Sequence, residues 1–232
     1  MQRIIPNWGG KLDFSRTRRS VPLRLRYKLF VHPIEALHGL SYHYISVICD
    51  WYYGVDTVHK GSRPLLEDSQ RNHYDPTEPK FLRWIFRNLP IDCQQYSFVD
   101  FGSGKGRVLV AAAVHHFIQV IGVEYSMDLH EEALRNIQSA RRLRCRKVRS
   151  VWMDATEFDI PKTPCILYFY NPFGMQIMER VLSNVQASLK YLPRPLFIVY
   201  VNPVLHDLMI RQPEMRLFKS MKWCNLYTWL TL

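Results

Sequence analysis

The stretch that decides the fold reads Phe98-Val-Asp-Phe-Gly-Ser-Gly-Lys-Gly106. A short apolar run typical of a buried strand ends in three glycines, which open a helical pattern over residues 107–116. Glycine lets the main chain approach a ligand where a Cβ would collide. In an open α/β sheet, ligands bind outside the carboxyl ends of the strands, which is where such a loop lies. The stretch therefore predicts a strand–turn–helix unit that holds a ligand.

Around this unit, strand and helix patterns alternate from residue 81 to the end of the chain. Strands are predicted at residues 96–101, 120–124, 148–153, 165–170, 196–201, 217–221 and 224–230, and helices at 81–88, 107–116, 128–142 and 175–189. This alternation predicts an α/β fold with a doubly wound, mainly parallel, seven-stranded sheet covered on both faces. Residues 222–223 are too short a link for a crossover helix, so the C-terminal strand should be antiparallel.

Residues 1–80 differ in character and are predicted to form a basic N-terminal extension to a domain at residues 81–232. The first thirty residues contain eight Lys and Arg but one acidic residue, Asp13. Such a tract can lie on nucleic-acid phosphates or on a lipid surface, and it can equally be a solvated arm. Residues 34–53 carry apolar and aromatic residues at near-helical spacing, which predicts a helix packed on the main domain.

Composition narrows the possible partners and the compartment. The formal net charge is +11, which favours a polyanionic partner, although basic charge also serves solubility. The five cysteines are scattered and form no Cys-x-x-Cys pair, so neither a disulfide framework nor a zinc site is expected. Reduced thiols favour the cytoplasm. We expect no transmembrane segment, because no apolar run is long enough, and no signal peptide, because arginines recur through the first thirty residues instead of preceding an apolar block.

Two details narrow the ligand. The dinucleotide fingerprint has two residues between its second and third glycines, whereas only Lys105 separates Gly104 from Gly106. That spacing argues against a nicotinamide enzyme. Glu124 ends the second strand, where a carboxylate can accept both hydroxyls of a ribose. The alternative for Glu124 is a charge placed near the N-terminus of the following helix.

Taken in order, these motifs resemble those of class I methyltransferases that use S-adenosyl-L-methionine. The resemblance implies this cofactor. It places the loop that Asp100 opens, with Gly102, Ser103, Gly104 and Gly106, around the amino-acid end of the cofactor, and Glu124 on its ribose. After the third strand, Asp154 would take the adenine amino group and the amide of Ala155 would meet the ring. From the residues alone, Asp154 is more simply a turn or cap residue.

Tyr168-Phe-Tyr-Asn-Pro-Phe-Gly174 closes the fourth strand, where the methyl acceptor should enter. The amide oxygen of Asn171 can hold an attacking N–H and aim the nitrogen lone pair at the methyl group. Tyr170 and Phe173 can wall the site, and aromatic faces favour a sulfonium. We therefore expect methylation of a nitrogen, with Asn171, Phe173 and Tyr170 as candidate catalytic residues. An Asn-Pro turn between strand and helix is the competing interpretation.

From about residue 52 onward, the chain is similar to seven-strand lysine methyltransferases, namely the histone-lysine enzymes without a SET domain, the ATP-synthase c-subunit enzymes and small bacterial relatives. Tyr74-Asp-Pro-Thr77 resembles a loop that folds over the methionine end of the cofactor in those families. The resemblance implies that Tyr74 and Thr77 line the site and that a protein lysine is the acceptor. Asn171-Pro172-Phe173 also resembles the Asn-Pro-Pro-Tyr/Phe of enzymes that methylate base or glutamine amides, without the second proline.

Two alternatives stay open at this point. In the first, the acceptor is an RNA or DNA base, bound through the N-terminal tract and the cations of residues 141–149. In the second, the chain is a catalytically silent S-adenosyl-L-methionine-binding or scaffold protein. The intact glycine loop and its carboxylates argue against the second alternative.

Overall fold

The structure is a computed structural model, and it describes residues 42–58, 76–221 and 223–229. The basic first thirty residues and Tyr74 lie outside the described residues, so the predictions made for them remain predictions. The helices are α1 (Tyr42–Tyr53), α2 (Pro79–Asn88), α3 (Arg107–Ala113), α4 (Met127–Ser139), α5 (Met175–Tyr191) and α6 (His206–Ile210). The strands are β1 (Ser97–Phe101), β2 (Gln119–Glu124), β3 (Val148–Trp152), β4 (Cys165–Tyr170), β5 (Leu196–Val201), β6 (Met215–Met221) and β7 (Cys224–Trp229).

The seven strands form one sheet in the order β3-β2-β1-β4-β5-β7-β6. The first five strands along the chain pair in parallel, and β7 runs antiparallel to both β5 and β6. This confirms the predicted doubly wound, mainly parallel sheet with an antiparallel C-terminal strand. Strand β1 lies between β2 and β4, so the carboxyl ends of these three parallel strands lie side by side at the same end of the sheet.

Strand β1 is buried on both faces of the sheet, which explains why a mainly apolar run forms a central strand. All five residues of β1 are buried. Val99 and Phe101 pack in a core with α5, while Phe98 packs on the opposite face with α2 and α3. A strand that buries both faces reads as a continuous apolar run, which is the pattern of a central parallel strand. The sheet therefore holds the glycine loop on a rigid support.

Several helix boundaries differ from the predicted ones. Helix α3 ends at Ala113 rather than at residue 116, and α4 ends at Ser139 rather than at residue 142. Ala140 is extended and Arg142 has a φ of 65°, so the chain leaves the helix before its last predicted turn. The five-residue helix α6 was not predicted, because five residues are too few to establish a helical period.

Helix α1, Tyr42–Tyr53, lies within the segment 34–53 that was predicted to be helical, and residues 34–41 lie outside the described residues. Its last carbonyl, on Tyr53, accepts a hydrogen bond from the backbone of Arg141 at 2.8 Å. The guanidinium of Arg142 lies 4.4 Å from the ring centre of Tyr52. No helix among the described residues is long and apolar enough to span a membrane. All five cysteines are free thiols.

Candidate functional site

A cleft of about 240 Å³ opens at the carboxyl ends of β1, β2 and β4. It brings together eleven of the thirteen site residues expected from the sequence. These are Thr77, Asp100, Gly102, Ser103, Gly104, Glu124, Asp154, Ala155, Tyr170, Asn171 and Phe173. Gly106 is not part of the lining, and Tyr74 lies outside the described residues. The topology explains the convergence, because residues after neighbouring parallel strands meet at one edge of the sheet.

The glycine loop adopts a conformation that other residues rarely take. Gly102, Gly104 and Gly106 have φ values of 75°, 52° and 81°. A Cβ on Gly102 would lie 2.7 Å from the Cβ of Pro172, which is shorter than the contacts that non-bonded Cβ atoms make in proteins. Gly102 therefore allows the β1 loop to pack against the β4 loop. Gly106 sits at the N-cap of α3 and does not touch the cleft, so its role is to start the helix.

Asp100 places a desolvated carboxylate in the wall of the cleft. The residue is 3% exposed, and its carboxylate accepts no hydrogen bond from any other described residue. Burial, followed by the negative charge of Glu124, raises the pKa of Asp100 well above its ordinary value. A buried carboxylate without donors costs free energy, which a cationic ligand group would recover.

Glu124 is held in place by the two loops that flank it. Its Oε2 accepts a hydrogen bond from the backbone of Gly104 at 2.7 Å, and its Oε1 accepts one from the backbone of Ser126 at 2.9 Å. These two bonds fix the orientation of the carboxylate in the wall of the cleft, and its ribose role stays a proposal. The bond to Ser126 also places the charge of Glu124 near the N-terminus of α4, which is the alternative role considered for Glu124.

Asp154 caps a turn as well as lining the cleft. Its Oδ1 accepts hydrogen bonds from the backbone and the hydroxyl of Thr156, both at 2.8 Å, and starts the 3₁₀ turn Ala155–Glu157. The turn presents Ala155 to the cleft. The capping interpretation of Asp154 is therefore correct, and its position in the wall keeps the adenine role as a proposal.

The end of β4 bends sharply into the cleft. Asn171 has a φ of 40°, a left-handed conformation that is uncommon but tolerated by asparagine. Its Oδ1 accepts a hydrogen bond from the hydroxyl of Tyr200 at 3.4 Å. Phe173 is buried and meets Phe169 edge to face, with ring centres 6.0 Å apart. Phe173 thus belongs to the core and to the wall of the cleft, while Tyr170 is half-buried in the wall.

A buried polar network, which was not predicted from the sequence, fastens α1 to the cleft. Arg107 is 7% exposed and lines the cleft. Its Nε donates to the hydroxyl of Thr57 at 2.7 Å, its Nη1 donates to the carbonyl of Thr77 at 3.3 Å, and its Nη2 lies 3.8 Å from Asp50. The hydroxyl of Thr77 is in turn hydrogen-bonded to that of Tyr168 at 2.9 Å.

The sequence did contain a signal for this network. Arg107 is the first residue of α3, and a cation at a helix N-terminus is unfavourable unless an acidic group compensates it. Asp50 supplies that group from 57 residues away in the chain. Its carboxylate also accepts hydrogen bonds from the backbone of Thr57, at 2.6 Å, and from that of Val58, at 3.0 Å. Burial raises the pKa of Asp50, against the lowering effect of those bonds and of Arg107.

Comparison with known proteins rests on structure alone, because no family model and no curated protein sequence matches the chain. A candidate methyltransferase from Escherichia coli aligns with a TM-score of 0.52 and 16% identity over 70% of this chain and 91% of the other. A candidate RNA methyltransferase from Pyrococcus horikoshii aligns with a TM-score of 0.51 and 14% identity, over 73% and 91%. The chain has the class I methyltransferase fold.

A further alignment, with a TM-score of 0.48 and 20% identity over 68% of this chain and 94% of the other, is to an RNA methyltransferase from Salinibacter ruber in complex with S-adenosyl-L-homocysteine. The two alignments with TM-scores above 0.5 show the fold, and at these identities the chemistry is left to the residues of the cleft. In an open α/β sheet, ligands bind outside the carboxyl ends of the strands, and the cleft lies at that position.

Proposed function

We propose that the protein is an S-adenosyl-L-methionine-dependent N-methyltransferase whose acceptor is a base of RNA. The observation that carries the cofactor proposal is Asp100, a buried carboxylate in the cleft wall with a raised pKa and no hydrogen-bond donor among the described residues. The α-ammonium of the cofactor is a group that would stabilise such a carboxylate, because an opposite charge favours the ionised form.

Other features of the cleft fit the same ligand. Ser103 lines the cleft, and its hydroxyl has no hydrogen-bond partner among the described residues; this hydroxyl lies buried next to Gly122 and would bond a polar ligand atom after rotating toward the cleft. Arg107 is the cation among the described lining residues, which suits the cofactor carboxylate, while Glu124 suits the ribose. A zwitterionic amino-acid end thus finds an anion and a cation in one wall. Asp154 and Ala155 then lie where the adenine is expected.

When bound, S-adenosyl-L-methionine supplies a methyl group whose bond to sulfur breaks, with the electron pair staying on sulfur, as the acceptor nitrogen bonds to it and gives its proton to solvent. Asn171 Oδ1 would accept the N–H of the acceptor and fix the direction of its lone pair. Tyr170 and Phe173 would exclude water and hold the acceptor flat against the wall. The contribution of the protein is then mainly alignment.

Two observations favour a nucleic-acid base over a lysine as the acceptor. The described lining of the cleft contains no histidine or lysine to act as a general base. Its carboxylates, Asp100, Glu124 and Asp154, are those proposed to bind the cofactor. A base amino group is neutral near pH 7, whereas a lysine, with an ordinary pKa of about 10.4, is mostly charged and must first lose a proton. In addition, the Pyrococcus horikoshii structure, which aligns with a TM-score of 0.51, is named as a candidate RNA methyltransferase. The protein-lysine acceptor expected from the sequence resemblance therefore becomes the second arm of the test.

The test uses methyl-labelled S-adenosyl-L-methionine with deproteinised total RNA and, separately, with nucleic-acid-free total protein. We expect label in the RNA with the wild type and with Asp159→Asn, which changes an exposed carboxylate away from the cleft, and strongly reduced label with Asp100→Asn at a subsaturating cofactor concentration. Label only in protein, lost in Asp100→Asn, would overturn the RNA acceptor and restore lysine. Absence of label in both fractions, with no cofactor binding by calorimetry, would overturn the enzyme.

A further inference from the structure

A dense group of cations follows α4 and leads into the edge strand β3. Six of the nine residues from 141 to 149 are Lys or Arg, and all six are exposed. We call them the basic tract: Arg141, Arg142, Arg144, Arg146, Lys147 and Arg149. Five of the six are arginines, whose planar guanidinium groups bind phosphate in a bidentate manner. The whole segment from residue 141 to 149 contains no acidic residue.

The helix dipole and local ion pairs do not explain this density. Helix α4 ends at Ser139, and the dipole effect falls off within the last turn of a helix. Arg146, Lys147 and Arg149 lie beyond that range. None of these three side chains has a carboxylate within 4.0 Å among the described residues. The surface charge at this position is therefore available to a partner.

Strand β3 connects the basic tract to the cleft. It is an edge strand that pairs with β2 alone among the described strands, and it exposes Arg149 near its start and Trp152 at its end. Two residues lie between them, so their Cα atoms are about 10 Å apart along the strand, and because successive side chains alternate, Arg149 and Trp152 point to opposite faces of the sheet. Met153, the residue after Trp152, lines the cleft. A chain lying along this edge would therefore pass from the cations to the cleft.

Trp152 forms an exposed aromatic surface that is fixed in place. Its side chain is 55% exposed, and its indole N–H donates to the carbonyl of Tyr125 at 2.8 Å. Tyr125 is itself 44% exposed and lines the cleft. A rigid, exposed ring at the end of the edge strand into which the basic tract leads matches the way in which proteins bind single-stranded nucleic acid, by phosphate contacts and base stacking. An acidic protein partner would need the charges alone.

We propose that the basic tract and Trp152 form a track for single-stranded RNA that leads along the β3 edge to the cleft. Phosphates would lie on the cations, and a base would stack on Trp152 next to the cleft mouth. The track rests on the RNA acceptor proposed above. It names the surface that would bind the flanking nucleotides, a role separate from methyl transfer.

The first test measures binding of a fluorescein-labelled single-stranded RNA oligonucleotide of mixed sequence by anisotropy, without cofactor, across a series of KCl concentrations. The variant combines Arg146→Gln, Lys147→Gln and Arg149→Gln. Each phosphate contact contributes about 0.7 to the slope of log affinity against log salt for single strands, so the slope should become shallower by about 2.

The matched control removes the same number of exposed charges elsewhere, by Lys162→Gln, Arg180→Gln and Lys190→Gln. The control should keep the wild-type slope, because the general charge effect is the same in both triple variants. Equal slopes in the two triple variants would overturn the track. Preferential loss of binding to phosphatidylserine vesicles, with RNA binding unchanged, would assign the basic tract to a membrane surface and also overturn it.

A second variant, Trp152→Ala, separates stacking from charge. Stacking contributes roughly fivefold to 150-fold per base, so RNA affinity should fall within that range at every salt concentration while the slope stays unchanged. Unchanged affinity would remove Trp152 from the track. S-adenosyl-L-homocysteine affinity and RNA labelling are measured on the same samples. If methyl label enters the RNA but the salt slopes of RNA binding are equal in the two triple variants, only the track is overturned. If no methyl label enters the RNA, the proposed acceptor is overturned.

Discussion

Replacing Asp100 with asparagine should stabilise the ligand-free protein and weaken cofactor binding at the same time. The Asp100 carboxylate is buried and accepts no hydrogen bond from the described residues, so its ionised form is costly. A buried polar group without a partner costs about 1–3 kcal/mol, and more when charged. Asparagine keeps the volume and removes the charge, so we expect a gain of about 1 kcal/mol near neutral pH.

The gain should depend on pH in a direction set by the raised pKa of Asp100. Because the folded state holds this proton more tightly than the unfolded state, wild-type stability falls as pH rises from the ordinary carboxyl pKa, about 3.9, to the raised value. The variant lacks this loss. Its advantage should therefore be absent at low pH, grow through that window and level off above the raised pKa.

Cofactor binding should change in the opposite direction. Hydrogen bonds to charged groups contribute about 1.5–3 kcal/mol, so the loss of the ammonium–carboxylate contact should raise the dissociation constant for S-adenosyl-L-homocysteine roughly 10- to 150-fold. Calorimetry measures the affinity, and urea denaturation at a series of pH values measures the stability. Asp159→Asn should change neither. Wild-type affinity in Asp100→Asn, or an advantage that does not vary with pH, would refute the assignment.

Three further substitutions probe the surroundings of the cleft. Gly102→Ala should lower the free energy of unfolding by at least about 1–2 kcal/mol, because φ is 75° and a Cβ would collide with Pro172; an unchanged urea midpoint would contradict this. Arg107→Met should cost about 3–5 kcal/mol by leaving Asp50 buried without its cation, and adding Asp50→Asn should restore much of the loss in thermal denaturation. Tyr200→Phe removes a hydroxyl that donates to the amide at the end of β4, so kcat should fall up to about tenfold with KM for the cofactor unchanged; equal loss in both would indicate a structural role.

The sequence predicts the regular part of the fold well, because each strand and most helices carry a local pattern. The predicted ends of helices were less accurate where the end of the helix depends on backbone geometry. The polar residues after α4 continue a helical composition, yet Arg142 adopts a positive φ and the backbone of Arg141 bonds to Tyr53, far away in the chain. Composition alone cannot reveal such a contact. Asp154 was open to two interpretations for a similar reason, since a carboxylate after a strand can cap a turn, line a site or do both.

By itself, the sequence determined the α/β class, the mainly parallel sheet and the approximate place of the cleft, because strand periodicity, the glycine loop and the polar residues after strands are local features. Only the tertiary structure decided which distant residues meet. The contact of Gly102 with Pro172 depends on β1 and β4 being neighbours, and the buried pair of Arg107 and Asp50 depends on how α1 packs. Strand order and helix packing are set by the burial of the whole core, so no short segment of the sequence encodes them.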